Sequence, residues 1–181
     1  MHLTLPEALS AADCARLIAL ASAAPLKDAK VISGGRAANL RSTSIAWLED
    51  LPEGGWAMDQ MIAHVARANR DSFGFDITDF GESAQIARYD AARGDHFDWH
   101  ADIGRGPQAA RRKLTIVVQL SDPASYEGGT LELRPDSTVT ASGRGLGTAT
   151  LFPSFVLHRV TPLTAGTRWS LTLWAHGPAF R

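Results

Sequence analysis

At 181 residues, 45% apolar and 20% charged, the chain has the composition of an ordinary globular protein and is long enough to bury a sizeable core without cross-links. A formal net charge of −1 excludes the broad positive field of a nucleic-acid or anionic-membrane binder, and a lone cysteine, Cys14, excludes an internal disulfide and fits a reducing compartment. No uninterrupted apolar run reaches the roughly 18–20 residues that span a bilayer, so neither a membrane nor a nucleic-acid partner is expected, and the default location is cytoplasmic.

The run from Ala11 to Ala24 is apolar but interrupted by Asp13 and Arg16, with no positive stretch before it, so it reads as mature structure rather than a leader. Ser10 is a plausible N-cap, Leu17, Ile18, Leu20 and Ala21 form an apolar stripe, and Pro25 marks the end of a first helix. Residues 27–47 alternate loosely around the turn-rich Gly34-Gly35 and Asn39, which predicts two short strands, 29–33 and 41–47, joined by a mobile loop. Arg41-Ser-Thr reads as a solvated edge strand, with the lining of a substrate cleft as the alternative. After the turn at Pro52-Glu-Gly-Gly55, Met58, Met61, Ile62 and Val65 recur at helical spacing, predicting a second helix over 56–70 that packs beside the first.

From Ser83 the pattern changes to short strands divided by Gly, Pro and Asp turns: 84–90, 96–102, 113–121, 130–135, 137–141, 147–152, 155–160 and 168–176. Eight such segments after two helices predict a mainly β, α+β fold, a double-stranded β-helix or jelly roll braced by N-terminal helices. Residues 1–181 are read as a single domain, in which 1–82 supply helical support and substrate-side strands and 83–181 the jelly-roll core. Lys113 to Leu120, apolar or β-branched at nearly every position, is expected to run through the centre.

The candidate chemistry begins in the strand 96–102, where side chains two apart share a face. It holds two His-x-Asp pairs in one phase, His96/Asp98 and His100/Asp102. A metal takes one pair, and His100 with Asp102 is preferred because the Gly94 turn leaves His96 at the strand's entry. With a later histidine, His158, they form a two-histidine, one-carboxylate set, the arrangement that leaves open positions on a non-haem Fe(II). Taken alone, His158 reads more readily as a satisfied core or edge histidine. Arg168 opens an otherwise apolar strand with no acid on it, and a buried cation needs an anionic partner. Fe(II) with one aspartate is formally +1 and the arginine adds one more, so a dicarboxylate makes the pocket neutral. 2-Oxoglutarate has that charge, with a keto-acid end to chelate metal and a distal carboxylate for a bidentate arginine contact. Thr172 shares the face of Arg168 and Ser170, and Tyr89 lies on an adjacent strand; each offers a hydroxyl.

Tyr89…Gly94…Phe97-Asp-Trp-His100-Ala-Asp102, Arg112-Lys-Leu-Thr…Tyr126-Glu-Gly-Gly129 and His158-Arg-Val-Thr-Pro…Gly-Thr-Arg168 with Trp174 together resemble the Fe(II)- and 2-oxoglutarate-dependent dioxygenases, in their prolyl 4-hydroxylase-like branch. The resemblance covers roughly residues 83–181 well. It implies that His100, Asp102 and His158 hold iron, that Arg168 anchors 2-oxoglutarate, and that Tyr89 and Thr172 assist it. Fe(II), 2-oxoglutarate and O₂ are then the implied cofactors, with ascorbate as a further candidate. The implied reaction is hydroxylation of an unactivated C–H bond, coupled to decarboxylation of 2-oxoglutarate to succinate. A prolyl residue of a protein or peptide is the first substrate class, a free amino acid or small metabolite the second, and a metal- or metabolite-binding sensor without turnover the third reading. Collagen-type relatives use lysine where this chain has Arg168, and nucleic-acid demethylases of the superfamily carry a second arginine where this chain has Trp174. The retained Asp102 points to hydroxylation rather than halogenation. Loop 31–44, Asp95 and Asp98 are the candidate selectivity elements, while His2, His64, His96 and His176 have no assigned role. Oligomeric state is not legible in the sequence.

Overall fold

The architecture is organised around one strand buried on both faces. In a computed structural model that describes residues 2–29 and 40–180, the chain opens with β1 (Leu3–Leu5), α1 (Ala11–Ala23) and β2 (Lys27–Asp28). β3 (Arg41–Ser42), β4 (Ser44–Trp47) and α2 (Gly55–Ala68) complete the N-terminal part. The β-rich remainder comprises β5 (Gln85–Asp90), β6 (His96–His100), β7 (Arg112–Gln119), β8 (Tyr126–Gly128), β9 (Leu131–Arg134), β10 (Thr140–Ala141), β11 (Ala149–Pro153), β12 (Leu157–Val160) and β13 (Leu163–His176). The major sheet runs β1-β11-β7-β13-β5-β4-β2, with β8 on the first part of β13, and the minor sheet runs β10-β9-β12-β6-β3. The fold is a double-stranded β-helix, as the strand pattern predicts.

β7 lies between β11 and β13. Its Leu114, Ile116 and Val118 face a core shared with Cys14, Leu17 and Ala21 of α1 and Ala57, Met61 and Val65 of α2. The alternate residues Thr115, Val117 and Gln119 are also buried, and Val117 packs with Phe152, Leu131, Leu133 and Val160 in a second core. A strand covered on both faces has no polar side, which is why 113–120 reads as a continuous apolar run.

The helices form as their sequences dictate. The Ser10 hydroxyl accepts from the Asp13 amide at 3.1 Å, capping α1. α2 passes into one π-turn over Asn69–Phe73, ended by Gly74 at φ 67°, and the Asn69 amide clasps Phe75 through its N–H and C=O, both at 2.8 Å.

Three differences from the sequence reading bear on the site. The expected strand 29–33 lies mostly outside the described residues, while 41–47 is split at Thr43. β3 pairs with β6 in the minor sheet and β4 with β5 in the major, with the Thr43 hydroxyl fastened to the Arg88 carbonyl at 2.7 Å. Strand 96–102 ends at His100, so Asp102 is not on the strand. The last strand begins at Leu163 rather than 168 because Leu163–Gly166 pair with β8, a short strand that the alternation did not signal. His158 and His100 sit on neighbouring interior strands of the minor sheet, β12 and β6.

Candidate active site

Between the two sheets lies a cavity of about 480 Å³ whose lining includes Arg41, Tyr89, His100, Asp102, His158, Arg168, Thr172 and Trp174. It lies in the size range of small-molecule sites.

His100 on β6 and His158 on β12 are direct cross-strand partners, with ring centroids 4.1 Å apart. The register passes from His158–His100 to Val160–Phe97, so β6 carries one extra residue. That bulge changes the side-chain phase, and Phe97 stacks on His100 with centroids 3.4 Å apart. Each imidazole is oriented by a backbone carbonyl: His100 Nδ1 lies 2.8 Å from the Asp98 oxygen and His158 Nδ1 3.0 Å from the Val156 oxygen. A carbonyl only accepts, so each Nδ1 carries the proton and each Nε2 presents a lone pair, the tautomer a metal requires. Burial pushes the His158 imidazole below its ordinary value despite the neighbouring Asp102, which favours the neutral ligand form.

Asp102 reaches the same point from beyond the strand. Its amide and that of Ile103 donate to the Ser154 carbonyl, at 2.9 and 3.0 Å, and its own carbonyl accepts from Arg112 Nη1 at 3.0 Å. Its carboxylate oxygens lie 3.6 Å from His100 Nε2 and 3.6 Å from His158 Nε2, and the Thr115 hydroxyl donates to Oδ2 at 2.7 Å. Burial works against the charge, but the adjacent histidines and the Thr115 hydroxyl outweigh it and hold the carboxyl well below the usual carboxylate range. The donor atoms of His100, Asp102 and His158 all lie within 4.8 Å of one another, a two-nitrogen, one-oxygen set suited to a divalent transition metal.

Arg168 faces them from the major sheet. It is 1% exposed; Nε donates to the Gln119 amide oxygen at 3.1 Å, while Nη1 and Nη2 are buried without a hydrogen-bond partner among the described residues. A guanidinium held by its root with its fork free fits a planar carboxylate. Tyr89 is its cross-strand partner, with the guanidinium 5.2 Å from the ring centre. Ser170, Thr172 and Trp174 follow Arg168 along the cavity wall at the two-residue period.

Other residues fall outside the expected roles. Asp95 is fully buried, bonded to Ser42 at 2.5 Å, Arg93 at 2.7 Å and the Asp90 amide at 2.9 Å, so it holds the fold and is not a selectivity element. Asp98 is exposed and caps the Trp99 amide. His176 is buried against Glu82 at 2.8 Å, and His64 is bonded to the Ala8 carbonyl at 2.8 Å. Arg41, read first as a solvated edge residue, lines the cavity although β3 is an edge strand. Thr115, Gln119 and Arg112 are additions to the site: Arg112 and Thr115 lie in the Arg112-Lys-Leu-Thr motif without a role assigned to them, and Gln119 was signalled only by its place on β7, read as a core strand.

A double-stranded β-helix with a two-histidine, one-carboxylate cluster and a buried arginine in one cavity defines a class of metal-dependent oxygenases. Residues 84–176 match the model of the 2OG-Fe(II) oxygenase superfamily, and the chain belongs to that family, whose cofactors are Fe(II), 2-oxoglutarate and O₂. A PKHD-type hydroxylase of Caulobacter sp. (strain K31) is 30% identical over 182 residues, covering 96% of this chain and 77% of that protein. A PKHD-type hydroxylase of Hyphomonas neptunium is 34% identical over 87 residues, 46% of this chain but only 39% of that protein. Among solved structures, a Pseudomonas putida prolyl-4-hydroxylase superposes with a TM-score of 0.76 at 22% identity, covering 98% of this chain and 93% of the other. A Trichoplax adhaerens prolyl hydroxylase, in complex with a hypoxia inducible factor peptide fragment, gives 0.77 at 18% identity, covering 97% and 83%. Among the described residues no helix is long and apolar enough to cross a membrane.

Proposed function

We propose that this chain is an Fe(II)- and 2-oxoglutarate-dependent dioxygenase that hydroxylates an unactivated C–H bond, with a prolyl residue of a protein or peptide as first substrate class. The observation that carries the reading is the convergence, in one cavity, of the three metal-type donors with an arginine whose fork has no hydrogen-bond partner among the described residues. His100 and His158, through Nε2, and Asp102 would hold the iron, and Arg168 would take the distal carboxylate of 2-oxoglutarate, with the Tyr89 and Thr172 hydroxyls beside it. When bound, the metal and 2-oxoglutarate supply an oxidative decarboxylation: one atom of O₂ enters succinate as CO₂ leaves, and the other enters the substrate C–H bond as hydroxyl.

The chain's own residues keep this chemistry in place. The Asp98 and Val156 carbonyls fix both imidazole tautomers, Thr115 and Arg112 hold Asp102 by side chain and main chain, and Gln119 aims Arg168. Apolar Val117, Leu131 and Val160 line the interior, limiting water near the reacting centre. Residues 1–181 act in this reading as one catalytic unit, with α1 and α2 sharing the core that supports β7 and β13. The names of the PKHD-type and prolyl hydroxylase relatives support the prolyl class, and the peptide complex of the Trichoplax protein supports a peptide substrate.

The test is succinate formation dependent on Fe(II), O₂ and 2-oxoglutarate, with mass spectrometry of proline-containing peptides for a gain of one oxygen. An active H100A/D102A double variant overturns the metal site. Turnover on a free amino acid with every peptide unmodified overturns the peptide class, and iron and 2-oxoglutarate binding that never yields succinate replaces the enzyme with a sensor.

A further inference from the structure

The charges in the cavity do not cancel once the metal and 2-oxoglutarate are counted. Among the described residues three arginines line it, Arg41, Arg112 and Arg168. Arg112 is neutralised by Glu82, which takes Nε at 2.6 Å and Nη2 at 2.5 Å. Arg168, together with the net single charge of Fe(II) and Asp102, is neutralised by the two carboxylates of 2-oxoglutarate. Arg41 is left over. Its one hydrogen bond among the described residues runs from Nη2 to the neutral amide oxygen of Gln85, at 2.6 Å, and its Nε is buried without a partner. No ion pair joins it to a described carboxylate within 4.0 Å, and residues 30–39, which precede its strand, contain Lys30 and Arg36 but no Asp or Glu. Burial lowers the Arg41 guanidinium from its ordinary value, opposed by the neighbouring Tyr89 and Asp102; Tyr89 is a phenol, and the charge of Asp102 belongs to the metal in the reading above.

Position gives this charge its use. The guanidinium lies 4.8 Å from the centre of the Phe97 ring, which stacks on the imidazole of His100. Arg41 therefore flanks the metal site on the β3 side, whereas Arg168 faces it from the major sheet. A half-buried cation without a counter-ion is costly, and a ligand that brings the counter-ion recovers that cost on binding. We propose that Arg41 is a specificity-determining residue that selects a substrate bearing a carboxylate close to the carbon that is hydroxylated. This rests on the dioxygenase reading and narrows its substrate class. Two sources offer the same group: the α-carboxylate of a free amino acid, or an acidic side chain beside the target residue of a peptide.

The test reads binding rather than turnover. Protein loaded with Zn(II) and saturating 2-oxoglutarate is titrated with 4-fluorobenzoate and, separately, with neutral 4-fluorobenzamide, both followed by ¹⁹F NMR. The expected result is at least tenfold tighter binding of the acid by the wild type, loss of that preference in R41Q, and partial retention in R41K. Competition then distinguishes the sources: L-proline against L-prolinamide for the free acid, and a blocked Pro-Asp peptide against its Pro-Asn counterpart for the side chain. Equal binding of acid and amide, an acid preference that survives in R41Q, or failure of both competing acids to displace the probe overturns the proposal. Retained 2-oxoglutarate binding in the same samples means that only the Arg41 assignment has failed; its loss in wild type sinks the dioxygenase reading instead.

Discussion

Replacing Arg168 by methionine keeps the length and apolar stem of the side chain while removing its charge and fork. Arg168 is 1% exposed, Nε is already committed to Gln119, and Nη1 and Nη2 are buried without a partner among the described residues, so a carboxylate bound there would meet two desolvated donors at once. Removing one partner of such a buried, hydrogen-bonded charge pair costs about 2–5 kcal/mol. At about 1.4 kcal/mol per decade, that is a loss of roughly thirtyfold to several thousandfold in 2-oxoglutarate affinity, and the near-complete burial points to the upper half. R168K keeps the charge but offers no planar fork, so its affinity falls between wild type and R168M. The assay is anaerobic titration of the Fe(II) protein with 2-oxoglutarate, followed through the visible absorption of the chelate. Iron affinity, measured separately, stays within a fewfold of wild type because Arg168 is not among the clustered metal-type donors. An R168M protein that binds 2-oxoglutarate within threefold of wild type refutes the assignment of this arginine as the anchor.

Thr115→Val removes the hydroxyl that donates to Asp102 Oδ2 while conserving shape, and metal affinity by calorimetry should fall about 10–100-fold, the usual effect of losing a partner behind a ligand; unchanged affinity refutes the role. Burial pushes the Glu82 carboxyl up, but Arg112 and His176 outweigh it and leave it below its usual value. A depressed carboxyl contributes stability that is present above its unfolded value and lost as pH falls through the folded one. Between pH 7 and pH 3 the urea midpoint of wild type should therefore drop more steeply than that of E82Q, and parallel curves would contradict this. Burial also pushes the Cys14 thiol up to about 11, so at pH 8 the native protein should resist aromatic disulfide reagents and react only when unfolded. Rapid stoichiometric labelling of the native state would show that Cys14 is not enclosed.

The legible parts of the sequence were those in which period and burial agree. Arg168, Ser170, Thr172 and Trp174 keep the two-residue period along a regular strand, so one cavity wall could be read directly. Lys113–Leu120 was recognised as a core strand because burial on both faces leaves no polar alternation to misread. The same periodicity grouped His100 with Asp102 for an incomplete reason: the strand stops at His100, and Asp102 is brought back by the Ser154 carbonyl and Arg112, contacts 52 and 10 residues away in sequence. Arg41 was weighed as an edge residue because nothing in Arg41–Trp47 announces that the chain changes sheets at Thr43. Asp95 is an acid close in sequence to the site, but its partners Ser42 and Arg93 make it a buried brace.

These residues also show why the site is divided as it is. The minor sheet carries His100 and His158 as cross-strand partners, so their separation is set by strand pairing, which varies little. The major sheet carries Arg168, Gln119 and Thr115 on β13 and β7, two strands paired from Ser170–Gln119 to His176–Arg112. Of the three clustered donors, Asp102 alone belongs to neither sheet, and it is held from outside its segment: its own amide and that of Ile103 donate to Ser154, the Thr115 hydroxyl donates to its carboxylate and the Arg112 guanidinium to its carbonyl. A ligand on irregular backbone needs fastening from outside its own segment, whereas a ligand on a paired strand is placed by the ladder. Thr115 sits where the two systems meet, since it is fixed by β7 and donates to Asp102, so the distance between the proposed metal ligands and the proposed co-substrate anchor, Arg168, depends on sheet-to-sheet packing through this one hydroxyl as well as through the apolar core around Phe152.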